Sequence, residues 1–209
     1  MARTPSPAES LFQTFVAEAV TPPLREAGFR KSGSNYHRRW GDTAQVVNIQ
    51  LSRGSTWTEK EFYVNVGIAF DAICALAKVP VLDRPKEYEC DDRGTRDRLE
   101  KLIPDIPSSW VIRVGTDTAS DVGRLREGLE LLVTELEPIR SPSDYRTHRW
   151  FDRFRPVQEN AQVLYLIGDR EGAFQEVQAL AKMFADRQNA NRMEWWIERL
   201  RLRGLESAV

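Results

Sequence analysis

Two stretches of alternation, residues 44–52 and 62–70, constrain this chain more than any other feature. In the first, Val47, Ile49 and Leu51 alternate with Val46, Asn48 and Gln50. In the second, Val64, Val66 and Ile68 alternate with Tyr63, Asn65 and Gly67. Successive side chains on a strand point to opposite faces, so each stretch predicts a strand with an aliphatic side and a side rich in amides. A polar loop, residues 53–60 with Trp57 near its middle, joins them. An aliphatic sheet side has to be covered, and the flanking sequence supplies helices to do it. The expected fold class is therefore α+β, a mainly antiparallel sheet of about four strands with helices on one face.

The flanks carry helical spacing. Leu11, Phe12, Phe15, Val16 and Ala19 recur at intervals of three and four from Ala8 onward. Thr21-Pro22-Pro23 then predicts either a kink or a fresh short helix through Ala27. Gly28 reads as the residue past a helix end, where a left-handed backbone suits glycine. Residues 35–40 predict another strand, closed by the Gly41-Asp42 turn. It places Tyr36, Arg38 and Trp40 on one side and His37 and Arg39 on the other. Register decides which side joins the amide face, and alternation alone does not fix register.

Downstream, residues 71–79 predict one or two helical turns ended by Pro80, and residues 80–94 read as irregular. Residues 95–103 predict a short helix burying Leu99, Leu102 and Ile103, and residues 110–114 a further strand. Residues 118–136 give the clearest helix, with Val122, Leu125, Leu129, Leu132, Val133 and Leu136 on one stripe. Thr118 and Asp121 resemble a capping box, and Gly123 and Gly128 imply close packing on the sheet. Pro138 to Pro142 reads as a linker that divides the chain into an α+β domain, 1–138, and a helical extension, 139–209. The extension shows helical spacing at 145–154, 161–167, 171–187 and 192–203. A lone helix–turn–helix unit cannot bury its own face, so these helices are expected to pack on the α+β body.

Several short motifs, in this order, resemble a bacterial family known as domain of unknown function 4304. Gly28-Phe29-Arg30-Lys31-Ser32-Gly33 with Tyr36 and Arg38 is similar to its opening pattern. Val47-Asn48-Ile49-Gln50 and Val64-Asn65-Val66-Gly67-Ile68 are similar to its two strands. Cys90, Arg96, Arg98, Leu99 and Trp110 are similar to its downstream stretch. The resemblance covers about residues 10–136. It implies a bacterial cytosolic α+β protein, and it supplies no activity and no catalytic residues.

Composition narrows the functions. A formal net charge of −1 gives no whole-chain attraction to nucleic acid or an anionic membrane. Two cysteines outside any C-x-x-C pair fit a reducing compartment. The first ten residues lack the apolar core of a signal peptide, and no window has the roughly 20 apolar residues of a membrane span. These features predict a cytoplasmic protein that meets no membrane.

His37 and His148 lie far apart, so no metal site is predicted. No phosphate-binding glycine loop occurs, and no cofactor is implied. Cys90 lies beside Glu89, Asp91 and Asp92, whose charge disfavours a thiolate, so no catalytic residue is assigned. Residues 140–155 hold five arginines among Tyr145, Trp150, Phe151 and Phe154. That mixture can grip single strands, although the same aromatics at helical spacing more simply anchor a helix.

The ligand- or partner-binding candidates are Asn48, Gln50 and Asn65, with Tyr36, Arg38 and Tyr63 beside them where register allows. The bland alternative is a solvated face, or buried amides tying down a loop. The leading expectation is a non-catalytic binding or protein-interaction module, immunity-like or regulatory, acting on a protein partner. The alternative is a small-molecule binder or enzyme with a pocket between that face and residues 80–108. Nucleic-acid binding through Arg140–Arg155 ranks below both.

Overall fold

The structure, a computed structural model, describes residues 4–153, 158–186 and 192–205. Six strands form one sheet: β1 (Arg30–Ser32), β2 (Asn35–Trp40), β3 (Thr43–Leu51), β4 (Glu59–Phe70), β5 (Gly94–Arg98) and β6 (Trp110–Arg113). Their order is β1-β2-β3-β4-β5, with β6 also paired to β4. β1 runs antiparallel to β2, and β6 antiparallel to β4 with Phe62 opposite Trp110. The fold is α+β, with six strands where about four were expected.

The two additional strands are β1 and β5. β1 is three exposed polar residues and carries no alternation to announce it. β5 replaces most of the helix expected over 95–103, which shrinks to α4 (Leu99–Leu102). The reason is backbone fit. Gly94 lies so close to β4 that a Cβ would overlap the Ile68 carbonyl, and the Phe70 N–H donates to Arg93 O at 2.8 Å. Hydrogen bonds along β4 outweigh a helical stripe of only three apolar residues.

By its internal packing the chain divides into two compact units that do not follow chain order. The first comprises Met1–Arg38, Gln45–Gly67 and Arg96–Glu137; the second comprises Arg39–Ala44, Ile68–Thr95 and Pro138–Val209.

In the first unit, α1 (Pro7–Phe15) begins at Ser6, whose Oγ accepts the Glu9 N–H at 3.1 Å. The helix then widens into one π turn, Val16–Val20, and continues as α2 (Thr21–Glu26). The expected fresh short helix is α2, with Pro22 and Pro23 in its first turn, and it is entered through the π turn without a loop. Pro22 has no N–H to give, and the wider turn lets the Thr21 N–H and hydroxyl both donate to the Val16 carbonyl. Gly28, at φ +83°, ends the helix as expected.

These helices lie over the aliphatic side of the sheet. Phe62 meets Phe12 and Phe15 edge-on, with ring centres 5.4 and 5.6 Å apart. α5 (Ala119–Leu136) adds the buried stripe Leu125, Leu129, Leu132 and Leu136. Its expected capping box does not form, because Asp117 Oδ1 takes the Ala119 N–H at 3.0 Å and Thr118 makes no cap bond. Gly128 is packed against Ile106 rather than the sheet, and Gly123 faces open space.

Within this layer Arg38 is buried and fully bonded. Its Nε and Nη2 donate to Gln45 Oε1, and its Nη1 donates to Ala27 O at 3.0 Å and Glu137 Oε2 at 2.9 Å. The guanidinium also stacks on Phe29, 4.7 Å from the ring centre. Gln45 passes the network on by donating to Leu136 O at 2.8 Å. One side chain thus joins β2, β3, the end of α2 and the end of α5.

In the second unit, the turn between β2 and β3 is held by an Arg39–Asp71 ion pair and by Thr43 Oγ1 donating to Arg140 O at 2.6 Å. A 3-10 helix, Glu87–Asp92, follows α3 (Asp71–Ala77). The helix expected over 145–154 is two, α6 (Pro142–Thr147) and α7 (Arg149–Arg153), because His148 is extended and its Nδ1 accepts the Trp150 N–H. Phe154 lies outside the described residues. α8 (Gln158–Leu166) pairs with α9 (Arg170–Met183) across the expected Gly168 turn. α8 also touches α3 and α6, and α9 touches α10 (Met193–Arg199), so this helix pair is not left with a bare face. No helix among the described residues is long and apolar enough to cross a membrane.

Arg38→Ala strips the donors from buried Gln45 and from the Ala27 carbonyl. Breaking a buried charged network in this way costs about 3–5 kcal/mol. Urea denaturation is expected to show a loss of that size; a change within the scatter of surface variants would contradict the role given to Arg38.

Candidate functional site

The alternation of β3 and β4 delivers two distinct faces. Tyr36 and Arg38 lie on the helix-covered side. The Tyr36 hydroxyl is 2.9 Å from Thr21 Oγ1, and Arg38 is tied into the network described above. Register therefore sends both away from the amide face, and neither is part of the assembled site. Asn48, Gln50, Tyr63 and Asn65 lie on the other side of the sheet, where three of them form a bonded chain.

The chain runs across three strands. Asn48 Nδ2 donates to Asn35 Oδ1 at 3.0 Å and to Ser34 Oγ at 3.2 Å. Asn65 Nδ2 donates to Asn48 Oδ1 at 3.2 Å and to Gln50 Oε1 at 2.9 Å. Both protons of each Asn amide are thus spent inside the protein. Asn48 and Asn65 are 6% and 1% exposed, so they are scaffold and not contact groups. Gln50 is exposed at the end of the chain, its Oε1 accepting from Asn65 and its Nε2 forming the donor end of the amide. The amides split between the two readings of the sequence: two are buried ties, and one is presented to solvent.

Two further groups complete the face. Glu61, two residues before Tyr63 on β4, takes hydrogen bonds from Ser109, Ser52 and Tyr63. The Ser109 and Ser52 bonds are the largest cause holding its carboxyl below the usual glutamate range, so it stands as a fixed anion. Arg98, at the end of β5, lies over the Tyr63 ring at 4.3 Å from its centre. Glu61 and Arg98 are not among the binding candidates that the sequence offers, although Arg98 belongs to the stretch that carries the family resemblance. Glu61 keeps the period of Tyr63 and Asn65, which was a usable signal. Arg98 was assigned to a helix, and its strand placement had no local signal.

The arrangement can present, in a fixed geometry, an anion at Glu61, a cation at Arg98 and an amide at Gln50. A carboxylate stabilised as the anion is a poor proton donor at neutral pH. The thiols are no better placed for chemistry. Burial, with Asp91 next, pushes the Cys90 thiol well up, and burial does the same for Cys74. The neighbouring carboxylates act on the Cys90 thiol in the expected direction, with burial as the larger cause. Glu159 is pushed up to about 7, chiefly by burial with Asp91 and Asp92 adding, but it belongs to the second unit.

The Arg140–Arg155 region has its aromatics occupied. Tyr145, Trp150 and Phe151 are buried, Arg146 stacks on Phe151 and Arg140 stacks on Trp40. Those rings are not available for base stacking. Phe154 and Arg155 lie outside the described residues. Among the described residues, no group of three or more His, Cys, Asp or Glu side chains is placed to hold a metal ion.

A family model described as domain of unknown function (DUF4304) matches residues 20–152, well over half of the chain. The chain belongs to that family. The matched span holds every strand and every residue of the polar face, and it runs past the linker into α7. Neither a curated protein nor a solved structure matches the chain.

Asn65→Ala leaves Asn48 Oδ1 and Gln50 Oε1 without their donor, which costs about 1–3 kcal/mol for buried acceptors. Gln50→Ala, at an exposed position where water can replace Oε1 as the acceptor of the Asn65 amide, is expected to cost less, about 1 kcal/mol or below. Paired urea titrations check both, and equal losses would contradict the division into scaffold and contact groups.

Proposed function

We propose that the protein is a non-catalytic binding module whose polar sheet face recognises a protein partner through Gln50, Glu61, Tyr63 and Arg98. The observation that carries this reading is preorganisation. The contact groups are held by hydrogen bonds and stacking to neighbours that are themselves fixed, so little conformational entropy is lost on docking. A fixed anion and a fixed cation on one face suit a partner of complementary charge pattern, where charge sets specificity and encounter rate. A regulatory or immunity-like role toward that partner is the functional class that follows. Glu61, held as the anion, is a poor proton donor, and the buried thiols resist deprotonation, which favours binding over acid or thiolate chemistry at this face.

The test is retention of a partner by the tagged full chain from a lysate of its source cells, with variants run in parallel. Arg98→Ala combined with Gln50→Ala is expected to lose the partner while the thermal midpoint stays near wild type. A partner retained equally by that double variant would contradict the reading, as would no specific partner at all.

A further inference from the structure

The loop joining β3 and β4 is closely hydrogen-bonded, and it holds an exposed indole. The Ser52 N–H donates to Glu61 O, Ser55 N–H to Ser52 O, and Thr56 N–H to Glu59 O at 2.7 Å. Ser55 Oγ both donates to Glu61 O and accepts the Glu61 N–H, and Thr56 Oγ1 accepts the Glu59 N–H. A loop fixed in this way loses little freedom when a ligand arrives. It nevertheless leaves Trp57 57% exposed, although a Trp buried by its own fold contributes substantially to stability.

Trp57 borders a cavity of about 490 Å³ between this loop and the start of α1. That volume is in the range of small-ligand sites. Apart from Pro5 the remaining lining is polar, including Gln13, Glu9, Lys60, Ser6 and Thr56. Three of these form a chain: Lys60 Nζ lies 3.6 Å from Glu9 Oε2, and Gln13 Nε2 donates to Glu9 Oε1 at 3.5 Å. The bonds are long and the groups partly exposed, so each keeps hydrogen-bonding capacity for a guest.

We propose that this cavity is a saccharide-binding site, separate from the polar sheet face. The Glu9 and Lys60 charges offset one another, which removes the attraction that a strongly charged ligand would need. The row of ammonium, carboxylate and carboxamide alternates donors and acceptors. A vicinal diol matches such a row, because each hydroxyl both donates and accepts. One face of a pyranose ring carries only C–H groups and lies flat on an indole. The cavity therefore takes a neutral sugar ring against Trp57, with its hydroxyls toward Glu9, Gln13 and Lys60.

The test uses the full chain on an array of neutral mono- to tetrasaccharides, followed by saturation-transfer NMR with any sugar that binds. Trp57→Ala and Glu9→Gln are expected to weaken binding at least tenfold, and Gln50→Ala to leave it unchanged. Trp57 is exposed, so its variant should keep the wild-type thermal midpoint, and a melting curve confirms that loss is not unfolding. No neutral saccharide bound on the array, or binding indifferent to Trp57→Ala, overturns the proposal. Failure here leaves the partner-binding reading standing, because that reading depends on Arg98 and Gln50 alone among the residues varied.

Discussion

A buried guanidinium organises the sequence-matched part of this protein. Arg38 is only 6% exposed, so its donors have to find acceptors inside, and those acceptors lie on β3 and at the ends of α2 and α5. A buried charge is tolerated only when paired and saturated. The β2–β3 register, the end of α2 and the end of α5 are consequently not independent choices. With Arg38 bonded to Gln45, the pleat carries Asn35 to the far side of the sheet beside Asn48. The interaction that closes the core therefore also assembles the polar face behind it.

That coupling explains what was legible in the sequence and what was not. Val47, Ile49, Val64 and Val66 announce their strands because a period of two survives in any surroundings. The α5 stripe from Leu125 to Leu136 is equally local. Arg38 and Tyr36 were legible as a pair on one side of β2, but the side depends on register, and register depends on a bond to Gln45 and on helices distant in sequence. β5 was illegible for a similar reason. Its strand state comes from Gly94 fitting against the Ile68 carbonyl, a tertiary constraint that overrides local spacing. Pro22 and Pro23 were legible as the first turn of a fresh short helix, whereas the π turn that joins it to the preceding helix had no local signal.

The polar face gains its character from an asymmetry between its layers. Asn48 spends its donors on Ser34 and Asn35, and Asn65 spends its donors on Asn48 and Gln50. A satisfied buried network of this kind is stiff, since any rearrangement strands a polar group. Gln50, Glu61, Tyr63 and Arg98 stand on that base. Trp57 has a comparable support in its hydrogen-bonded loop. In both places rigid backbone and internal bonds hold the outer groups in fixed positions.

The central claim is that the amide chain is closed internally and holds the face above it. Hydrogen exchange of the side-chain amide protons, followed by ¹⁵N NMR on the intact protein, tests it most directly. The Nδ2 protons of Asn48 and Asn65 are expected to exchange far more slowly than the Nε2 protons of Gln50. Exchange of all three amides at the same fast rate would contradict it, because the chain would then be open to water and the face above it unsupported.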